Sequence, residues 1–428
     1  MNEKLFDFIE KSPTPFHAAA NVSTVLKAAG YTELCEGKPW QLEGGKGYFV
    51  TRNGSSVIAF RLPEGDFSGF MIAASHDDSP AFKIKENAEL KDRFWVRFST
   101  EKYGGMICST WLDRPLSVAG RLMVRTENGC AMRLVDLKEP TALIPNVAIH
   151  MNRNVNDGVA LNPAVDMLPL YGLDPEGVSL KKRLADAVGI AEKDILSTDL
   201  IVYNPQKGVE WNDFVSAPRL DDLECAFGSF EAFLAAKESK NIPVYALFDN
   251  EEVGSQTKQG AASTFLCDTV DRICESLGLS ASERCQKIAG SFMASCDNAH
   301  AVHPNHPEFS DKNHAVYMNR GVVIKYNANQ RYTSDAVSTA LFRLICEKAG
   351  AHCQLYANRA DIAGGSTLGN IANTQVSLNT IDIGLAQLAM HSSFETAGAK
   401  DVETLVKALT AFYETALQME SDGSYALS

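Results

Sequence analysis

Apolar positions follow two different patterns along this chain. Toward both ends, strand-like apolar runs alternate with helical periodicity, which predicts an α/β fold. Phe16 to Ala29 reads as a helix closed by Gly30, and Val57 to Phe60 and Gly69 to Ala74 read as strands. From about Gln206 the alternation resumes, with a helix over Cys225 to Ala236 and strands at Ile242 to Phe248, Ser291 to Cys296 and Val322 to Tyr326. A further helix is expected from after Ser334 to Gly350, with Val337, Ala340, Leu341, Leu344 and Ile345 on its apolar face. The last predicted helix covers Val402 to Leu417.

The middle differs. Between Glu89 and Asn204 the apolar runs are short and alternating, as in Phe94 to Phe98 and Leu122 to Val124, and Gly and Pro punctuate them. Apart from a charged stretch near Lys181 to Ala187, this segment reads as β-rich. The expected organisation is a discontinuous domain of residues 1–88 and 206–428 interrupted by an inserted domain of residues 89–205. No internal repeat or low-complexity tract interrupts it.

Composition narrows the function classes. With 428 residues, 45% of them hydrophobic, the chain can bury a sizeable core and make more than one domain. A formal charge of -13 argues against nucleic acid or an anionic membrane surface as partner, because both attract basic patches. The first residues lack an apolar leader pattern and no apolar run is long enough to span a membrane, so a soluble, cytoplasmic protein is expected. Ten cysteines from Cys35 to Cys353 include no C-x-x-C pair, which points to reduced thiols rather than a disulfide framework or thiolate zinc site.

Candidate chemistry lies where strands end. Ile242 to Phe248 runs into Asp249-Asn250-Glu251-Glu252, and crowding acids at the end of a buried strand calls for a positive partner. Two further strand ends carry potential ligands, His76 with Asp77 and Asp78, and Asp297 with His300. In open α/β sheets the ligand crevice lies beyond the carboxyl ends of the strands, so these three ends are expected to converge. A ligating histidine usually donates its other ring nitrogen to an oxygen acceptor, a role open to Asp78. Asp221, at the opening of a helix, either caps it or bridges two metals through its two oxygens. His391 completes the inventory; His300 and His303, held in a loop by Pro304, suit substrate contact as well as metal binding.

Taken in order, the motifs resemble the M18 metallopeptidase family, the aspartyl aminopeptidase and aminopeptidase I group. The resemblance rests on Ser75-His76-Asp77-Asp78-Ser79-Pro80, Arg219-Leu220-Asp221-Asp222-Leu223, Asp249 through Ser255, Asp297 through Asn305, and Met390-His391-Ser392, with Gln330-Arg331-Tyr332 downstream of Lys325. It implies a mixed central sheet flanked by helices and two zinc ions. His76, Asp221 and Asp297 would surround one ion, and Asp221, Glu252 and His391 the other. Cobalt and manganese suit the same His and carboxylate donors. Glu251 would act as general base, Asp78 would orient His76, and the reaction would be hydrolysis at the free N-terminus of a peptide. The resemblance further implies that the β-rich insert mediates dimers that build a tetrahedral homododecamer. His150 would then reach a neighbour's active site, although the alternation around it equally permits a plain strand histidine.

Three departures from the family pattern stand out. Asp77 occupies a position where relatives often have Thr, and Asp222 follows the bridging acid where Asn is frequent. Ser393-Phe394-Glu395 lacks the basic residue that commonly precedes the Glu, which leaves acidic substrates open; Lys325 could meet a substrate carboxylate or pair with a nearby acid. A metal-dependent amidohydrolase or carboxypeptidase, and a catalytically silent assembly protein on this fold, are the alternatives.

Overall fold

The computed structural model describes residues 1–428. Its largest sheet has nine strands in the order Thr32–Leu34, Gly47–Arg52, Ser56–Arg61, Ile242–Phe248, Phe70–His76, Phe292–Cys296, Asn379–Gly384, Val322–Tyr326 and Cys353–Ala357. The four strands from Ile242–Phe248 to Asn379–Gly384 run parallel, whereas Ser56–Arg61 and Val322–Tyr326 pair antiparallel at either side of that group. The sheet is therefore mixed. Its central strands read as unbroken apolar runs because helices cover both faces. In Phe70–His76, Met71 and Ala73 belong to the larger core, and Phe70, Ile72 and Ala74 to the smaller one on the other face.

Helices Pro15–Ala28, Leu220–Ala235, Ala336–Ala349 and Asp401–Glu414 contribute to the larger core, and Phe265–Ser276 and Leu368–Ala372 to the smaller. Two expectations shift. In Ala336–Ala349, Ala340 and Leu344 are exposed, while Ser338, Leu341, Phe342, Ile345 and Cys346 are buried. The buried stripe is rotated because Phe342, the larger ring, takes the inward position against Phe412. The last helix stops at Glu414, Thr415 is extended, and Leu417 begins a hairpin with Ser424–Leu427.

The seven-stranded sheet lies entirely between Ala81 and Tyr203. Its strand Ile195–Tyr203 pairs with both Ala81–Lys91 and Pro115–Thr126, so the sheet closes on itself as a barrel around a core of its own. The charged stretch near Lys181 forms the helix Leu180–Val188, capped by Ser179 and ended by Gly189 in the left-handed region. Residues 145–169 form a long, largely irregular excursion; His150 sits there in a turn rather than a strand, because nothing pairs with this stretch. All ten cysteines are free thiols; Cys225, Cys274, Cys296 and Cys346 are buried, but Cys35, Cys130 and Cys285 are exposed and so are not core residues.

A five-stranded sheet in the order Val209–Trp211, Phe214–Ala217, Glu395–Gly398, Ala386–Leu388 and Ala299–His300 joins the remaining loops. It sets Ala217 opposite Glu395, which draws the turn leading to Asp221 against the loop that carries His391. No helix is long and apolar enough to cross a membrane.

Candidate metal centre

All four parallel central strands end at one place. Phe248 lies opposite His76 in the sheet register, so the acid-rich turn after one strand emerges beside the imidazole that ends the next. Asp297 follows directly on Phe292–Cys296, and the fourth strand, Asn379–Gly384, leads toward His391. This is the crevice beyond the carboxyl ends of parallel strands, where an α/β sheet gathers residues remote in sequence.

Asp221 is the shared member. One of its oxygens, Oδ1, stands 3.6 Å from His76 Nε2, and Oδ2 stands 3.2 Å from His391 Nε2, which is itself 3.3 Å from Glu252 Oε1. Two groups of donor atoms thus overlap at this carboxylate: His76, Asp221, Asp222 and Asp297 in one, and Asp221, Glu252 and His391 in the other. Asp221 does not cap the helix it opens; its backbone is non-helical and its side chain makes no capping bond. Asp221 Oδ1 and Glu252 Oε1 are buried with no hydrogen-bond partner, so acceptor capacity is left over where the two groups meet. Imidazoles and carboxylates at this spacing fit a divalent transition metal, zinc included.

Both histidines point Nε2 inward. His76 Nδ1 lies 3.0 Å from the backbone oxygen of Asp78, which fixes its orientation, and Gly105 lies beside His391 Nδ1. The expected Asp78 carboxylate is farther from His76, at 3.4 Å, and its main work is different. It accepts the amides of Glu251 and Glu252, each at 3.0 Å, and the Tyr103 hydroxyl at 2.6 Å. Asp78 therefore anchors the turn that carries both glutamates.

The sequence pattern assigns no role to Tyr103 or Glu395. Tyr103 ends a barrel strand like any alternating residue, and Glu395 accepts the amide of Asp221 at 3.0 Å on one oxygen and that of His391 at 2.7 Å on the other. Gly104 is required for a different reason: its φ is +72° and an added Cβ would stand 3.1 Å from the Glu252 Cβ. Arg219, Asn250 and His391 also adopt positive φ, so backbone strain concentrates in the three turns that present the donors. Asn298 ties the turn after Arg219 to the segment that leads to His391, donating to Leu220 O and Gln387 Oε1 and accepting from the Leu385 amide.

Electrostatics report the same crowding. Burial, followed by neighbouring carboxylates, pushes Glu251 up to about 8 and Glu252 well above the ordinary range. Burial would raise Asp221 as well, but the imidazoles of His391 and His76 beside it hold it below the usual carboxylate range. Asp222, also buried, accepts the His76 amide at 3.3 Å.

A cleft of about 140 Å³ opens above the centre, lined by His76, Glu251, Asp297, His300, Lys325 and His391 among others. It shares His300, Tyr356 and Met390 with a neighbouring groove of about 350 Å³ that also includes His303 and Arg359. Lys325 is buried; its ammonium donates to the carbonyls of Asp297 at 2.7 Å and Asn298 at 3.2 Å and lies 3.6 Å from the Asp297 carboxylate. Of the residues assigned from sequence, only Asp78 and His150 line neither cavity and join neither donor group; Asp78 acts from just behind, whereas His150 is exposed in the barrel excursion.

A family model described as "Aminopeptidase I zinc metalloprotease (M18)" matches residues 8–413. A Clostridium novyi protein named "Probable M18 family aminopeptidase 2" is 42% identical over 96% of this chain and 98% of its own length. A Pseudomonas aeruginosa protein of the same name is 39% identical over 96% and 98%. Among solved structures, that of the Ape4 and Nbr1 complex matches 96% of this chain and 85% of that chain at TM-score 0.93 and 35% identity. The S. cerevisiae mApe1 dodecamer matches 96% and 95% at TM-score 0.84 and 28% identity.

Proposed function

Because the chain belongs to the M18 aminopeptidase family and is a metal-dependent peptidase of that family, we propose that two zinc ions occupy the overlapping donor groups and that Glu251 is the general base. The observation that carries this reading is Asp221, whose two oxygens face His76 and His391 separately and so can serve two ions at once. His76, Asp221 and Asp297 would hold one ion, and Asp221, Glu252 and His391 the other. When bound, such a pair supplies Lewis acidity at the scissile carbonyl and lowers the pKa of the attacking water toward neutrality.

The chain's own residues do the rest. Glu251 lines the cleft and takes a proton from the attacking water, then returns it to the leaving amine. Asp78 fixes the position of Glu251 through the backbone amide and keeps His76 in one tautomer through its carbonyl. His300, His303 and Lys325 line the space for the peptide's first residue. Lys325 and Arg359 already pair with Asp297 and Asp361, so no free cation marks the cleft for acidic residues. Side-chain preference is read directly from a panel of N-terminal amino-acid amides with metal restored after chelation.

The same similarity supports a homo-oligomer, and the mApe1 dodecamer makes a dodecamer the form to test. In this reading residues 89–205 are an inserted dimerisation domain that presents His150 to a neighbouring copy, with the protein working as a cytoplasmic enzyme on peptides. The deciding experiment compares a free peptide with its N-acetylated form. Cleavage confined to the free amine is expected; equal cleavage of both overturns the aminopeptidase assignment in favour of a general amidohydrolase.

A further inference from the structure

Asp77 and Asp249 belong to neither donor group of the proposed zinc centre, yet with Asp78 they form a third set of carboxylates whose oxygens lie within 4.8 Å of one another. Asp77 is 2% exposed, and neither of its oxygens has a hydrogen-bond partner. Only its backbone is engaged, donating to Phe248 O at 3.0 Å. Asp249, also buried, accepts the Asn250 amide on Oδ1 at 2.7 Å, but on Oδ2 it meets only the Gln259 side-chain amide, at 3.5 Å. Asp78 is largely spent on Tyr103 and the two glutamate amides.

All three acids line a cavity of about 80 Å³. Two basic residues share it, but Lys83 pairs with Asp199 at 3.1 Å, and Arg219 donates to the carbonyls of Asn204 and Ile9. No lysine or arginine pairs with Asp77, Asp78 or Asp249. A buried carboxylate with neither a hydrogen bond nor a counter-charge is costly, and the cavity beside it has room for a solvated ion.

We propose that Asp77 and Asp249, with Asp78 beside them, hold a hard divalent cation of the magnesium or manganese class that keeps part of its water shell in the cavity. The donors are all oxygen, which disfavours soft ions, and one or two carboxylates completed by water is the usual magnesium pattern. Calcium wants roughly six to eight oxygens, more than this trio offers. The site lies at the root of the Asp249–Glu252 turn and shares Asp78 with it, so its occupant would brace the segment that positions Glu251.

Manganese alone is the probe. The zinc-loaded, full-length enzyme is titrated with Mn²⁺, bound manganese is counted by electron paramagnetic resonance, and zinc content is measured in parallel. One Mn²⁺ per chain is expected on top of unchanged zinc, displaced by excess Mg²⁺, and lost in Asp77→Asn with zinc content intact. No bound manganese in the wild type, equal binding in Asp77→Asn, or manganese appearing only as zinc leaves would each overturn the site. Should Asp77→Asn fail to fold, wild-type crystals soaked in Mn²⁺ decide: an anomalous peak at bonding distance from the Asp77 carboxylate supports the site, and its absence overturns it. Because the count is taken above the zinc level, it does not depend on what the zinc centre does.

Discussion

The parallel strands of the large sheet and the barrel of residues 81–203 place their polar groups in opposite ways. Ile242–Phe248, Phe70–His76 and Phe292–Cys296 are buried along their whole length, so polar side chains are forced to the carboxyl ends, where the turns that follow present them. In the barrel, strands such as Val96–Tyr103 alternate between buried and part-exposed positions, and the excursion 145–169 leaves Val147, Ile149, Met151 and Val165 exposed. The first arrangement fixes a few side chains on a rigid frame, which is what catalysis needs. The second leaves apolar surface looking outward, which is what an interface needs.

If chemistry and assembly divide along that line, stripping the metal should act on one region alone. Chelation is expected to abolish measurable turnover while the far-UV circular-dichroism spectrum of the whole chain persists, and zinc, cobalt or manganese added back should restore turnover to different degrees. Turnover that survives complete metal removal would break the division at its strongest point. Next in size, Glu251→Gln should lower kcat by about 10²- to 10⁴-fold, the usual worth of a positioned base. Elemental analysis should find its metal content unchanged; wild-type turnover in that variant would remove Glu251 from the role.

Tyr103→Phe tests the seam between the regions, since Tyr103 ends a barrel strand yet donates to Asp78. Loss of this supporting hydrogen bond should cost about 10- to 100-fold in activity or metal affinity, the range for residues behind a metal site. An effect under twofold on both would mean that the barrel does not help to hold the Glu251–Glu252 turn.

The same contrast explains what the sequence made legible. The bounds of Ile242–Phe248 are legible to the residue because a strand buried on both faces reads as an unbroken apolar run, and those of Val322–Tyr326 are legible although buried Lys325 interrupts its apolar pattern. The convergence of His76, Asp221, Glu252 and His391 followed from strand ends and motif order. Tyr103 and Glu395 escaped because they act through partners far along the chain: Tyr103 reaches Asp78 and Asn250, and Glu395 reaches the Asp221 amide. Closure of the barrel was equally hidden, since it depends on Ile195–Tyr203 pairing on both its edges, and alternation specifies a face without naming a neighbour. Leu344 was misplaced for a related reason: periodicity allowed it on the apolar face of its helix, but the ring of Phe342 decided which way the helix turned.

The smallest effect on a single chain should come from the exposed excursion. Met151 is 83% exposed, so Met151→Glu removes little that the isolated fold has buried, and stability of the separated chain should change by no more than about 0.5 kcal/mol. If Val147, Ile149 and Met151 face another copy, the same charge would be desolvated at the contact, and the native mass measured by light scattering should fall to a smaller assembly. Turnover per chain then separates two versions of the interface. An unchanged rate would mean that each active site is complete within one chain, whereas a rate that falls with the mass would mean that a neighbour, through His150, completes it. A variant that keeps the wild-type mass would show that the exposed apolar residues of the barrel serve something other than self-assembly.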